Sequence, residues 1–143
     1  MTGETRSRIG IAIFYNGMPI CWKSTLTSST QLSSGQAELY GLSELLKWAL
    51  HISYIARDLQ IDDRSCLRLE TDSAAAKGFC SAEGATGKMK HIDIRKNWVT
   101  ELRDRKKCYI AKIPGAENPA DFLTKVFTAA EFKRLEEYFV HHD

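Results

Sequence analysis

Residues 88–127 read KMKHIDIRKNWVTELRDRKKCYIAKIPGAENPADFLTKVF, and the order of patterns in this stretch decides the fold. Residues 88–106 carry apolar side chains at helical intervals, with Ile92, Ile94, Trp98, Val99 and Leu102 as candidate core positions, which predicts a long amphipathic helix. Cys108 to Ile113 then switches to a short extended run, stopped by Pro114-Gly115. Asn118-Pro119 follows as a helix start, with Asn as the cap and Pro at the first helical position. A helix leading directly into a strand and then into another helix is the grammar of a sheet with helices packed on it, and the same grammar extends upstream.

Arg8 to Tyr15 (RIGIAIFY) is rich in β-branched and aromatic residues, Asn16-Gly17 is a strong hairpin signal, and Met18 to Thr25 resumes the extended pattern. Two antiparallel strands joined by a type I′ turn are predicted. A helix begins near Gly35, with Ser33 or Ser34 as its cap, and Leu39, Leu42, Leu46, Ala49, Ile52, Ala56 and Leu59 form its apolar stripe. Cys66 to Thr71 is a short strand ending at Asp72. A short helix is expected from Ser73 to about Cys80, and Gly84 and Gly87 mark a loop. At the far end, Thr128-Ala-Ala-Glu131 is a capping box for a helix over about 129–140, whose apolar face holds Phe132, Leu135 and Phe139. The order β, β, α, β, α, α, β, α describes an α/β fold with a mixed sheet.

The chain has 143 residues, with 43% hydrophobic and 27% charged, the size and composition of one globular domain spanning 1–143. No apolar run approaches the ~18–20 residues that cross a membrane. The four cysteines, Cys21, Cys66, Cys80 and Cys108, form no Cys-x-x-Cys or Cys/His cluster, so they read as reduced, mostly buried thiols rather than a zinc site or a disulfide framework. Net charge is only +2, but Lys88 to Lys107 holds eight Lys/Arg against three acids. That local excess fits a phosphate-binding face, and it fits a solvated helix face equally well.

Three acidic residues fall at element ends. Glu38 lies in the first turn of the long helix, Asp72 at the end of an apolar strand, and Asp121 in the first turn after Asn118-Pro119. Each has a purely structural explanation: dipole complementation for Glu38 and Asp121, a helix cap for Asp72. Together they suggest another. Carboxylates gathered in one place repel one another unless a cation lies between them, and an oxygen-only ligand set selects hard ions, Mg²⁺ or Mn²⁺. Two such ions suit phosphodiester hydrolysis.

Four blocks of the chain resemble the ribonuclease H domain of copia-type (Ty1/copia) retrotransposon Pol polyproteins. They are TRSRIGIAIFYNGMPICWKST, LSSGQAELYGLSE, LETDSAAAKG and the 88–127 stretch with its KHIDIR and NPADFLTK motifs. The resemblance covers nearly the whole chain, in the family's order. It implies a ribonuclease H-like mixed sheet flanked by helices, which cuts the RNA strand of RNA–DNA hybrids with two Mg²⁺ ions (Mn²⁺ as a substitute) alongside the reverse transcriptase portion of the same polyprotein. An intracellular setting follows, in a cytoplasmic particle or the nucleus.

Carried over by motif, Glu38, Asp72 and Asp121 would be the catalytic metal ligands, with Asp72 bridging both ions and Asp121 on the ion that positions water. Lys88, Lys90, His91, Arg95 and Lys96 would touch the substrate, and Ser73 and Asn118 would support the ligands from behind. The chain departs from the family at its start. The family opens with a central strand of SDADW type whose aspartate is a fourth ligand, whereas only Met-Thr-Gly-Glu precedes the matching segment here. Two readings follow: a ribonuclease H whose first strand belongs to a longer parent, or a remnant that binds nucleic acid without cutting it.

Overall fold

A computed structural model describes residues 6–27, 34–62, 66–74 and 90–140. β1 (Arg8–Tyr15) and β2 (Met18–Leu26) form an antiparallel hairpin. Asn16 and Gly17 both take positive φ, 50° and 78°, as a type I′ turn requires. β3 (Leu67–Thr71) pairs in parallel with β4 (Cys108–Lys112). Three α-helices accompany them: α1 (Ser34–Asp58), α2 (Lys90–Asp104) and α3 (Ala129–Glu136). The short helix expected over 73–80 and the glycine loop at 84–87 lie outside the described residues, apart from the first residues after Asp72.

The chain is thus a mixed α/β structure, but its strands form two separate two-stranded sheets, β1–β2 and β3–β4. α1 joins them, packing on β1, on β3 and on α2. Its stripe supplies Leu39, Leu42 and Leu46, all buried, to a core shared with Leu69, Val99 and Cys108. Ala37 and Ala49 are buried on the same helix, and Ile9 and Ile11 are buried on β1. The two strand pairs share no ladder among the described residues, and α1 packs on one strand of each.

Several expectations are corrected. Ile94 is 67% exposed rather than core, because α2 turns Trp98, Val99 and Leu102 toward the core instead. Leu59 is also exposed; α1 ends at Asp58, one residue before it. Cys66 is exposed, whereas Cys108 is buried. α3 closes at Glu136, short of 140, although its capping box forms as expected: Thr128 accepts from the Glu131 N–H while Glu131 accepts from Thr128. That acceptance from the Thr128 backbone and hydroxyl holds the Glu131 carboxyl below its ordinary range. Phe132 is partly exposed but packs on Phe122, their ring centres 4.9 Å apart.

The helix started by Asn118-Pro119 is a single 3₁₀ element, Pro119–Leu123, with the Asn118 side chain accepting from the Ala120 N–H at 3.0 Å. It lies directly on β1 and is tied to β2, where Ser24 Oγ donates to the Leu123 carbonyl at 2.8 Å. Gly10 permits this approach: a β-carbon there would stand 2.7 Å from the Ala120 carbonyl oxygen and 2.7 Å from Thr124 Cγ2. Gly10→Ala should therefore destabilise the protein by about 1–3 kcal/mol, the usual range for overpacking. An unchanged urea midpoint would show that the 3₁₀ element is not held so tightly against the strand.

Candidate active site

The three carboxylates singled out by sequence come from three elements. α1 begins at Ser34 and has no acid in its first turn, so Glu38 sits in the second turn, past the reach of simple dipole complementation. Asp72 follows Thr71, the buried last residue of β3, whose hydroxyl accepts from the Ser73 N–H at 3.1 Å. Asp72 backs onto Gly115, where a β-carbon would lie 3.4 Å from Asp72 Oδ2. Asp121 lies within the 3₁₀ element that Asn118 caps. The close seat of that element on β1 carries Asp121 toward the ends of the other two.

The fold brings Asp72 and Asp121 within electrostatic range of Glu38. Glu38 as a whole residue is exposed, yet its carboxyl is partly stripped of water by its surroundings. That desolvation, reinforced by the negative charges of Asp72 and Asp121, raises it above the ordinary glutamate range, while Lys125 pulls the other way. Among the described residues no three His, Cys, Asp or Glu groups are arranged to hold one metal ion. As a donor set the three carboxylates still suit a hard divalent cation, being oxygen-only and mutually repulsive.

Lys125 was not anticipated as part of this cluster. Its Nζ lies 2.8 Å from Asp121 Oδ2, with the aspartate side chain 14% exposed and the lysine 56%. The bond to Asp121 raises the Lys125 ammonium, and the charges of Asp72 and Glu38 add to that in spite of partial burial. The backbone explains the pairing: the Lys125 N–H donates to the Asp121 carbonyl at 3.1 Å, one helical turn that stacks the two side chains. The four-residue spacing within NPADFLTK was the available signal.

The basic segment is less uniform than its sequence. Arg95 crosses to α1, donating to Ser43 Oγ at 2.7 Å and Glu44 Oε1 at 3.1 Å, with its guanidinium 3.9 Å from the centre of the Tyr40 ring. Burial pushes the Glu44 carboxyl up, but the hydrogen bonds from Lys47 and Arg95 outweigh it and hold Glu44 below its ordinary range. Arg103 pairs with Asp104 and Arg105 with Glu101. Lys96 is half-buried on α2. Lys88 lies outside the described residues, as do the side chains of Lys90 and His91.

The chain is similar to a segment of a retrotransposon Pol polyprotein. One such relative is the retrovirus-related Pol polyprotein from transposon TNT 1-94 of Nicotiana tabacum, 29% identical over 132 residues, which is 92% of this chain and 10% of that protein. The chain thus spans about a tenth of the relative's length. No family model matches it, and no solved structure does. Among the described residues no helix is long and apolar enough to cross a membrane.

The crowding at Glu38 has a stability consequence. An acid raised in the folded state binds its proton more tightly there than in the unfolded chain, so stability falls as pH rises from the ordinary glutamate value of 4.5 through the raised one. Glu38→Gln should therefore raise the melting temperature at neutral pH with a chelator present, modestly because the group is solvent-screened. The gain should vanish below pH 4.5. A lower melting temperature at neutral pH would show that Glu38 is stabilised by its surroundings instead.

Proposed function

We propose that this chain is the ribonuclease H region of a retrotransposon Pol polyprotein, hydrolysing the RNA strand of RNA–DNA hybrids formed during reverse transcription. The observation that carries the reading is the gathering of Glu38, Asp72 and Asp121 from α1, the end of β3 and the 3₁₀ element into one electrostatically coupled cluster. The Pol polyprotein similarity supports the same reading independently. In it, the three carboxylates are the ligands of two Mg²⁺ ions. Such ions activate water and stabilise the leaving oxygen when bound. The chain's own contribution is to hold oxygen ligands at the mouth of a sheet, where strand ends place ligands in α/β folds. Asn118 supports Asp121 by capping its helix.

In this reading a fourth ligand is the aspartate of an extended segment, of the SDADW type, in the parent polyprotein. The 143-residue chain alone should cut a hybrid poorly with Mg²⁺. Joining such a strand ahead of Met1 should raise cleavage of the RNA strand by orders of magnitude, and Asp72→Asn should abolish it. A joined chain that binds hybrid but leaves it uncut would favour a remnant that binds without cutting. Robust cutting by the chain alone, lost in Asp72→Asn, would mean that another group supplies the fourth ligand.

Lys88, Lys90 and Lys96 are assigned to the hybrid backbone, and Arg95 to holding α2 against α1, given its partners. Replacing the three lysines with Gln should weaken hybrid binding uniformly across sequences. It should also flatten the dependence of log affinity on log salt, by about one unit of slope for each phosphate no longer neutralised. An unchanged slope would place the phosphate-binding residues elsewhere.

A further inference from the structure

Among the groups around the carboxylates, Lys125 is the one whose place the proposed activity does not explain. Its ammonium is paired to Asp121 Oδ2 at 2.8 Å, and it is also within electrostatic range of Asp72 and Glu38. Of the charges acting on Glu38, the two carboxylates raise it and Lys125 alone lowers it. Among the described residues, one positive charge beside three negative ones leaves the cluster short of neutrality, and it engages the carboxylate oxygen that a metal ion would need. The side chain is also free to leave: Lys125 is more than half exposed, sits just beyond the end of the 3₁₀ element, and has a long stem whose ammonium can be rehydrated at little cost.

We propose that Lys125 is a resident counter-ion which competes with divalent metal for Asp121, so that metal entry requires the Lys125–Asp121 pair to open. The inference rests on the carboxylates being metal ligands, as set out above. It accounts for two observations together: the carboxylates are electrostatically coupled, yet among the described residues they are not arranged around one ion. The lysine holds the repelling groups in one neighbourhood while no metal is bound, and it sets a threshold of metal concentration for loading. Once displaced, its charge still repels the incoming cation, so both effects lower affinity.

The test is binding of Mn²⁺ alone to the 143-residue chain, followed by calorimetry and by the electron spin resonance signal of free Mn²⁺, with no substrate and no turnover. Lys125→Met and Lys125→Gln should each bind Mn²⁺ about two- to fivefold more tightly than the unaltered chain, the scale of one partly exposed ion pair. The difference should shrink as salt rises. Lys125→Arg, which keeps the charge, should stay close to the unaltered chain. Lys47→Met removes an equal charge from a lysine paired with Glu44 on α1 and should leave affinity unchanged.

Equal or weaker Mn²⁺ binding by the Met and Gln variants, with metal bound by the unaltered chain and lost in Asp72→Asn, would overturn the role of Lys125 and leave the carboxylate reading standing. An equal gain in Lys47→Met would overturn it too, by reducing the effect to net charge. No Mn²⁺ binding by any variant, or binding indifferent to Asp72→Asn, would overturn the carboxylate reading itself and Lys125 with it.

Discussion

The leucine stripe of α1 is the contact on which everything else hangs. β1–β2 and β3–β4 share no ladder among the described residues, so backbone hydrogen bonding cannot set one strand pair against the other. That task falls to side-chain burial. Leu39, Leu42 and Leu46 are each almost fully withdrawn from water and meet Leu69 of β3, Val99 of α2 and Cys108 of β4. Ile9 reaches the same helix from the hairpin, where Gly41 leaves it room: a β-carbon at Gly41 would stand 3.0 Å from Ile9 Cγ2. Burial is non-directional and fixes position less sharply than a ladder does. The directional bonds that sharpen it are the Arg95 links to Ser43 and Glu44 on the α2 side and the Ser24–Leu123 bond on the hairpin side.

This arrangement explains why the carboxylates lie in one neighbourhood. Glu38 lies one residue before Leu39, so the burial that seats α1 also fixes its acidic neighbour. Asp72 follows Thr71, whose burial anchors the end of β3. Asp121 rides on a short helix pressed onto β1 at Gly10. Each acid is thus attached to a buried residue or a close backbone contact, and the repulsion among them is a cost carried by that packing. Burial is the main cause of the raised Glu38, the repulsion of Asp72 and Asp121 adds to it, and Lys125, paired with Asp121, pulls the other way.

The basic segment shows how far charge counting reaches. Eight cations in twenty residues suggest one continuous face, but Arg95, Arg103 and Arg105 all have acidic partners. Arg95 is the clearest case. Its stacking on Tyr40 and its bond to Glu44 join residues about fifty positions apart, and a planar guanidinium suits that combination of stacking and forked donation better than an ammonium does. Lys96, Lys106 and Lys107 are the segment's remaining cations whose side chains are described.

By itself the sequence determined whatever depends on near neighbours along the chain. The Asn16-Gly17 turn, the period of β1 and β2, the leucine stripe, the Asn118 cap and the Thr128–Glu131 box all follow from interactions within about four residues, and they stand where expected. The three acids stood out in the sequence for their places near element boundaries, and the structure sets Asp72 and Asp121 within electrostatic range of Glu38. Tertiary structure alone decided the rest. It split the strands into two pairs, turned Ile94 outward, gave Arg95 to α1, and set Lys125 among the carboxylates of Glu38 and Asp72, nearly ninety and more than fifty residues away. The reason is physical: propensity and capping act over one turn, whereas the partner of a charge is settled by which surfaces burial presses together.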